Sequence, residues 1–234
     1  MLKLKEYWEI HFYTEALMFV TLFAALLVTI IKRKSDKKLK LFPFYFGFFI
    51  LRLVFRYIQI YYYGFDTFAF KPLFYIDTYL EYILIMVEIL IFMHFFYHVF
   101  NNRNKKILVQ IFTIAFIILG IFRLINDNIL KNQISTITIT QMFFLEAVLL
   151  LVSCFVYYLQ IFTSPPTLKL LNEPSFFVIT GLFFFLICSL PYSLFLDFIS
   201  YYPEIHRYIF CIIYIFYILL FLMIIKAFYV KKHF

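Results

Sequence analysis

The stretch FYTEALMFVTLFAALLVTII (Phe12–Ile31) runs directly into KRKSDKKLK (Lys32–Lys40). The first part is apolar for about the 20 residues that a helix needs to cross a bilayer core of roughly 30 Å. The second part carries six Lys or Arg in nine positions. An apolar run stopped by a basic cluster reads as a membrane helix that emerges on the cytoplasmic side. The run is longer than the apolar core of a signal peptide, and charge follows it where a small-residue cleavage site would stand. The sequence therefore predicts a retained first helix.

Working outward, six more runs of similar length follow: Pro43–Tyr62, Tyr75–Phe100, Ile107–Ile125, Ile137–Phe162, Phe176–Ile199 and Tyr208–Tyr229. Their apolarity is continuous, which excludes the two-residue alternation of a membrane β-barrel. The third and fifth exceed what the bilayer needs and are expected to tilt or to extend into the headgroups. The predicted fold is an all-α membrane protein, a bundle of about seven transmembrane helices. Residues 1–234 are read as a single polytopic transmembrane domain. The stretches between helices reach only about a dozen residues at Tyr63–Phe74, Asp127–Thr136 and Thr163–Ser175. None can fold separately, so any chemistry is intramembrane, interfacial or supplied by a partner.

Thirteen Lys and Arg fall on one side of this topology, five on the other, and Arg52, Arg56 and Arg123 lie within helices. The asymmetry predicts an external N-terminus and a cytoplasmic C-terminus. It also explains the net charge of +8 through orientation and anionic lipid headgroups at the cytoplasmic face. Nucleic acid is not the expected partner; a bilayer with anionic lipids, and a protein partner or a homo-oligomer, are.

Composition agrees. Hydrophobic residues make up 65% of the chain, against about 45–50% in soluble domains. There are 36 Phe and 20 Tyr but only 4 Gly, and no G-x-x-x-G, so helix contacts are expected from interdigitating Phe, Leu and Ile. Cys154, Cys188 and Cys211 sit in apolar runs without a pairing pattern and read as small buried hydrophobes. Tyr61-Tyr62-Tyr63, Tyr157-Tyr158 and Tyr201-Tyr202 fit an aromatic belt. Pro191, inside the sixth helix, is expected to kink it and free a carbonyl.

Ionisable groups at bilayer depth are costly, and so are functional candidates by default. Arg52, Arg56 and Gln59 share one face of the second helix by their i, i+4, i+7 spacing. Asp77, Glu81 and Glu88 fall near one face of the third. Matching depths from the helix ends predicts two ion pairs, Arg52–Glu88 and Arg56–Glu81, with Glu146 of the fifth helix near enough to join. Such pairs serve either to pin helix register or to line a polar cavity for an ion, proton or small ligand. Both readings stay open in the sequence. His94 and His98, at i, i+4, have a spacing that can bind metal, but the other histidines (His11, His206 and His233) sit near membrane ends. A satisfied or interfacial pair is expected, with no haem, no metal and no cofactor. Arg123, Asp197 and Arg207 lie near the outer ends, where snorkelling accounts for them.

Motifs for catalysis are missing. There is no H-E-x-x-H, no G-x-S-x-G, no P-loop, no Gly-rich filter loop and no mid-helix lysine for retinal. The chain is read as non-enzymatic, with lipid chemistry on interfacial carboxylates as the residual enzymatic alternative.

Two stretches carry a resemblance. Tyr79-Leu80-Glu81-Tyr82, continuing through Val87-Glu88-Ile89-Leu90 to Phe95-Phe96-Tyr97, resembles helix three of a widespread group of uncharacterised bacterial seven-helix integral membrane proteins. Glu173-Pro174-Ser175-Phe176-Phe177-Val178-Ile179-Thr180-Gly181 resembles the start of their helix six, with Phe177 where many members carry Trp. The resemblance implies the topology and a bacterial inner-membrane location, and supplies no activity. It suggests an accessory role, since proteins of this kind look like companions of signalling or defence genes. The leading expectation is a sensing or accessory module with a cytoplasmic partner. The alternative is an ion channel, pore or transporter built around the Arg/Glu network, including a membrane-permeabilising accessory of antiviral, CRISPR-type defence.

Overall fold

A computed structural model describes residues 2–32, 37–63, 71–131, 136–163, 173–200 and 202–230. The side chains of His11, Gln59, Asp77, Asp197, His206 and Arg207, together with His233 and the Pro165-Pro166 loop, lie outside the described part. Seven helices run in order: α1 (Leu2–Ile31), α2 (Phe42–Tyr63), α3 (Lys71–Val99), α4 (Arg103–Lys131), α5 (Thr136–Phe162), α6 (Pro174–Ser200) and α7 (Pro203–Tyr229). The described residues contain no strand. Six helices (α1 and α3–α7) contain a stretch long and apolar enough to cross a membrane. The architecture is that of a multi-pass membrane protein. α2 is not among the six; Arg52 and Arg56 lie within it and tyrosines close it.

The helices outrun the apolar segments that announce them. α1 begins ten residues before Phe12, and α4 continues past Ile125 to Lys131. Polar flanks such as Leu2–His11 keep the i→i−4 ladder going where the hydrocarbon ends, since Lys and Glu are good helix formers. Starts are set by proline: Pro43, Pro72, Pro174 and Pro203 each stand in the first two positions of a helix. There the missing N–H is no loss and the fixed φ suits the helix. Pro191 is the exception. It sits on an exposed face inside α6, which remains helical through it. The flanking hydroxyls of Ser189 and Ser193 donate back to the carbonyls of Leu186 and Leu190 at 3.4 and 2.8 Å.

Contacts gather the chain into two compact units, Met1–Ser35 with Leu151–Phe234, and Asp36–Leu150. α5 contributes its first half to the second unit and its remainder to the first. In the Met1–Ser35/Leu151–Phe234 unit, α1 and α7 run parallel. Thr14 Oγ1 lies 3.8 Å from Cys211 Sγ near one end, and eighteen residues further along each helix Lys32 Nζ sits 3.4 Å above the Tyr229 ring. α6 lies antiparallel on α7, joined by Phe185–Tyr217 and Tyr192–Phe210 ring contacts at 4.2 and 5.4 Å. They approach closely at Gly181, where an added Cβ would meet Met223 Cβ at 2.9 Å and Leu220 Cα at 3.2 Å. Glycine thus does set a helix crossing here, despite the scarcity that favoured bulky side chains alone. Cys154 is buried, while Cys188 and Cys211 are half-buried, and all three are free thiols.

In the Asp36–Leu150 unit the core is aromatic. Phe42, Tyr45, Phe46, Phe92, Phe95 and Phe96 are wholly buried. Phe42 meets Phe92 and Phe95, and Tyr45 meets Phe92, with centroids 5.6–5.8 Å apart and planes at 69–79°. That edge-to-face geometry places positive ring edges against negative faces. It locks the first half of α2 against the second half of α3.

Candidate functional site

Arg52 and Tyr45 lie seven residues apart on α2, which is two helical turns and therefore one face. Glu81 and Glu88 lie seven apart on α3. Because the helices are antiparallel, the two sets meet rung for rung. Arg52 Nη2 contacts Glu81 Oε1 at 2.9 Å, and the Tyr45 hydroxyl donates to Glu88 Oε1 at 3.4 Å. The expected pairing is therefore displaced by one rung. Arg52 engages Glu81 instead of Glu88, and Glu81 is held by Arg52 in place of Arg56. Arg56 is half-buried. The offset is about 10 Å along a helix, and it follows from the register that the aromatic core imposes.

The Arg52–Glu81 pair is the outer part of this cluster, with side-chain exposures of 14% and 40%. Glu88 and Glu146 are the inner part and are almost fully buried, at 4% and 2% exposure. Glu88 stands at the centre of the apolar stretch Thr78–Val99. Glu146 is the only charged residue of α5. The two carboxyl groups are within electrostatic reach of each other. Neither Glu146 oxygen has a hydrogen-bond partner among the described residues, and Arg52 Nε lacks one as well. A buried polar atom is normally satisfied. A carboxyl group left bare in an apolar interior is therefore the most unusual feature of this unit.

The other singled-out residues are not drawn into the cluster. The His94 and His98 rings contact each other edge-on, 4.6 Å apart. They sit roughly 80–120° around α3 from Glu88 by the 3.6-residue repeat. Among the described residues no group of three or more His, Cys, Asp or Glu collects to hold a metal. Pro191 belongs to α6 of the other unit.

Tyr45 is the member that sequence reasoning misses. One tyrosine among 20 reads as packing. Its signal is the spacing of seven from Arg52, which places it on the polar face. Tyr82 is a second, lesser case: its hydroxyl donates to the Gly120 carbonyl of α4 at 2.6 Å.

No protein-family model matches the chain, and no curated protein or solved structure is significantly similar to it. Fold and site together define its class: an all-helical protein of multi-pass membrane type with two carboxyl groups buried inside one helical unit.

Proposed function

We propose that this chain is an ion-handling membrane protein, a channel or transporter whose α2–α3–α5 acidic pair binds a cation or proton in transit. The observation that carries this reading is Glu146, buried with both oxygens unpartnered beside Glu88. Charges that merely pin register would be neutralised by each other, because an unpaired charge in hydrocarbon costs several kcal/mol. The arginine available to do that, Arg52, is committed to Glu81. A buried carboxyl pair whose nearby arginine is bonded to a third carboxylate costs stability, and holding something that comes and goes would account for it. The silent accessory module is correspondingly less favoured.

The test is flux across proteoliposomes under an imposed potential. Wild type should conduct, and Glu88→Gln and Glu146→Gln should lose conduction while remaining folded. Arg52→Gln should alter it less, because Arg52 contacts the outer carboxylate. A silent wild type that is folded and oriented would sink the proposal.

The same reading includes seven crossings, with the N-terminus outside and the C-terminus in the cytoplasm. Parity supports it. With α2 excluded, six alternating crossings would make α1 and α7 antiparallel, yet they run parallel. Counting α2 as a crossing removes the conflict, and its two arginines are tolerable because they face protein. Basic residues support the orientation: Lys37, Lys38 and Lys40 precede α2, and Arg103, Lys105 and Lys106 open α4 at the same end of the unit. Positive charge in a first turn opposes the helix dipole, so its place there is better explained by anionic headgroups. Epitopes at the two termini should be reached from opposite faces of sealed vesicles. Access to both from one face would refute the topology.

A further inference from the structure

Glu88 and Glu146 form a buried carboxyl pair whose occupant is constrained by the chemistry around it. We propose that this occupant is a proton, held on Glu146 with Glu88 as its charged neighbour, and not a metal cation. The inference rests on the reading of the pair as the working site and names the species it takes.

Ligand supply argues first. The two carboxyl groups and the Tyr45 hydroxyl offer five oxygens at most. Calcium takes about 6–8 oxygens, and magnesium demands a near-ideal octahedron. Membrane sites for alkali cations recruit backbone carbonyls from unwound helices or filter loops. Here α2, α3 and α5 are unbroken through Tyr45, Glu88 and Glu146, so those carbonyls are already spent on the helical ladder. A proton needs no such shell.

Electrostatics argues second. Two carboxylates within electrostatic reach in an apolar interior repel, and a proton on one of them relieves both the repulsion and half of the desolvation cost. The surroundings supply little else. From α2 come the Tyr45 phenol and, further along, Arg52, already engaged by Glu81. From α3 comes Glu81 itself. α5 offers no other charged residue. On α4 the charged groups Arg123 and Asp127 act on Tyr82, on a different face of α3. Within the pair the asymmetry is plain. Glu88 receives the Tyr45 O–H, a bond that favours its charged form. Glu146 receives none, so the proton rests there.

Wild-type protein in vesicles, treated with dicyclohexylcarbodiimide, tests this. The reagent reacts with protonated carboxyls in apolar surroundings. The acid proton passes to a carbodiimide nitrogen, the carboxyl oxygen bonds the central carbon, and rearrangement leaves a stable N-acylurea with nothing expelled. Mass spectrometry should place the adduct on Glu146, with Glu81 spared because it is ion-paired with Arg52 and part-exposed rather than set in apolar surroundings. Labelling should fall as pH rises and be indifferent to sodium, potassium or calcium. An infrared C=O band of a protonated carboxyl should be present in wild type and lost in Glu146→Gln. Protection by any of the metal cations overturns the proposal, as does the absence of both adduct and band. The outcomes separate from those of the flux experiment. Labelled protein without current keeps the proton site and ends the transport reading; current without a protonated carboxyl does the reverse.

Discussion

Replacing Glu146 with methionine is expected to raise the stability of the folded protein while abolishing proton flux through it. The carboxyl group is buried with both oxygens unpartnered. A buried polar group without its hydrogen bonds costs about 1–3 kcal/mol. Methionine is close in length and volume, has no group to satisfy, and adapts its three rotatable bonds to the existing gap. The gain should be of that same order, about 1–3 kcal/mol, read as a rise of several degrees in the detergent-solubilised Tm. Two comparisons make the result interpretable. Glu146→Gln keeps two polar atoms in the same setting, so it should lose function without the full gain. Glu146→Ala removes the carboxyl but opens a cavity, which offsets the benefit. A Glu146→Met protein that is less stable than wild type would show that the carboxyl is bonded to something structural, and the acidic pair would lose its functional reading. Stability bought back on losing activity is the pattern of a site kept for its work.

This expectation could not have come from the sequence. The seven helices could, because six carry apolar runs of membrane length and the α2 run is broken only by Arg52 and Arg56, and hydropathy over 20 residues is a strong signal. Their ends were less legible. Nothing in Leu2–His11 is apolar enough to announce a helix, yet the backbone ladder continues through it. Depth along a helix was also legible, and it brought Arg52, Glu81, Glu88 and Glu146 forward as candidates. Register was not. Matching depths paired Arg52 with Glu88, whereas the Phe42, Tyr45 and Phe92 contacts slide α2 by two turns relative to that match and deliver Arg52 to Glu81. Ring interlocking decides that offset, and single-helix periodicity does not contain it. Tyr45 was hidden for a related reason. In a chain this rich in aromatics, a hydroxyl used for bonding looks like one more ring used for packing.

Three helical glycines should answer alanine substitution in three different ways, and Gly181→Ala should be the damaging one. The new Cβ would stand 2.9 Å from Met223 Cβ and 3.2 Å from Leu220 Cα. Both atoms belong to the stem or backbone of α7, so no side-chain rotation clears the space and α6 must move away from α7. Overpacking of this kind costs about 1–3 kcal/mol. The helix-propensity gain of alanine over glycine, about 1 kcal/mol, offsets only part of it. Lipid tails compete equally for apolar surface, so close packing carries helix association in a membrane, and the Phe185–Tyr217 and Tyr192–Phe210 contacts further along the same seam would loosen together. At Gly120 the atoms met are the tips of Met86 and Met142, at 2.5 to 3.3 Å, and flexible thioethers can swing aside. Gly120→Ala should therefore be near neutral. At Gly47 nothing lies within 4 Å of the added carbon, so Gly47→Ala should stabilise by up to about 1 kcal/mol through propensity alone. Thermal unfolding of the three variants in one detergent gives the ranking Gly47→Ala above Gly120→Ala above Gly181→Ala. If Gly181→Ala melts with or above wild type, α6 and α7 do not cross at Gly181 as closely as described.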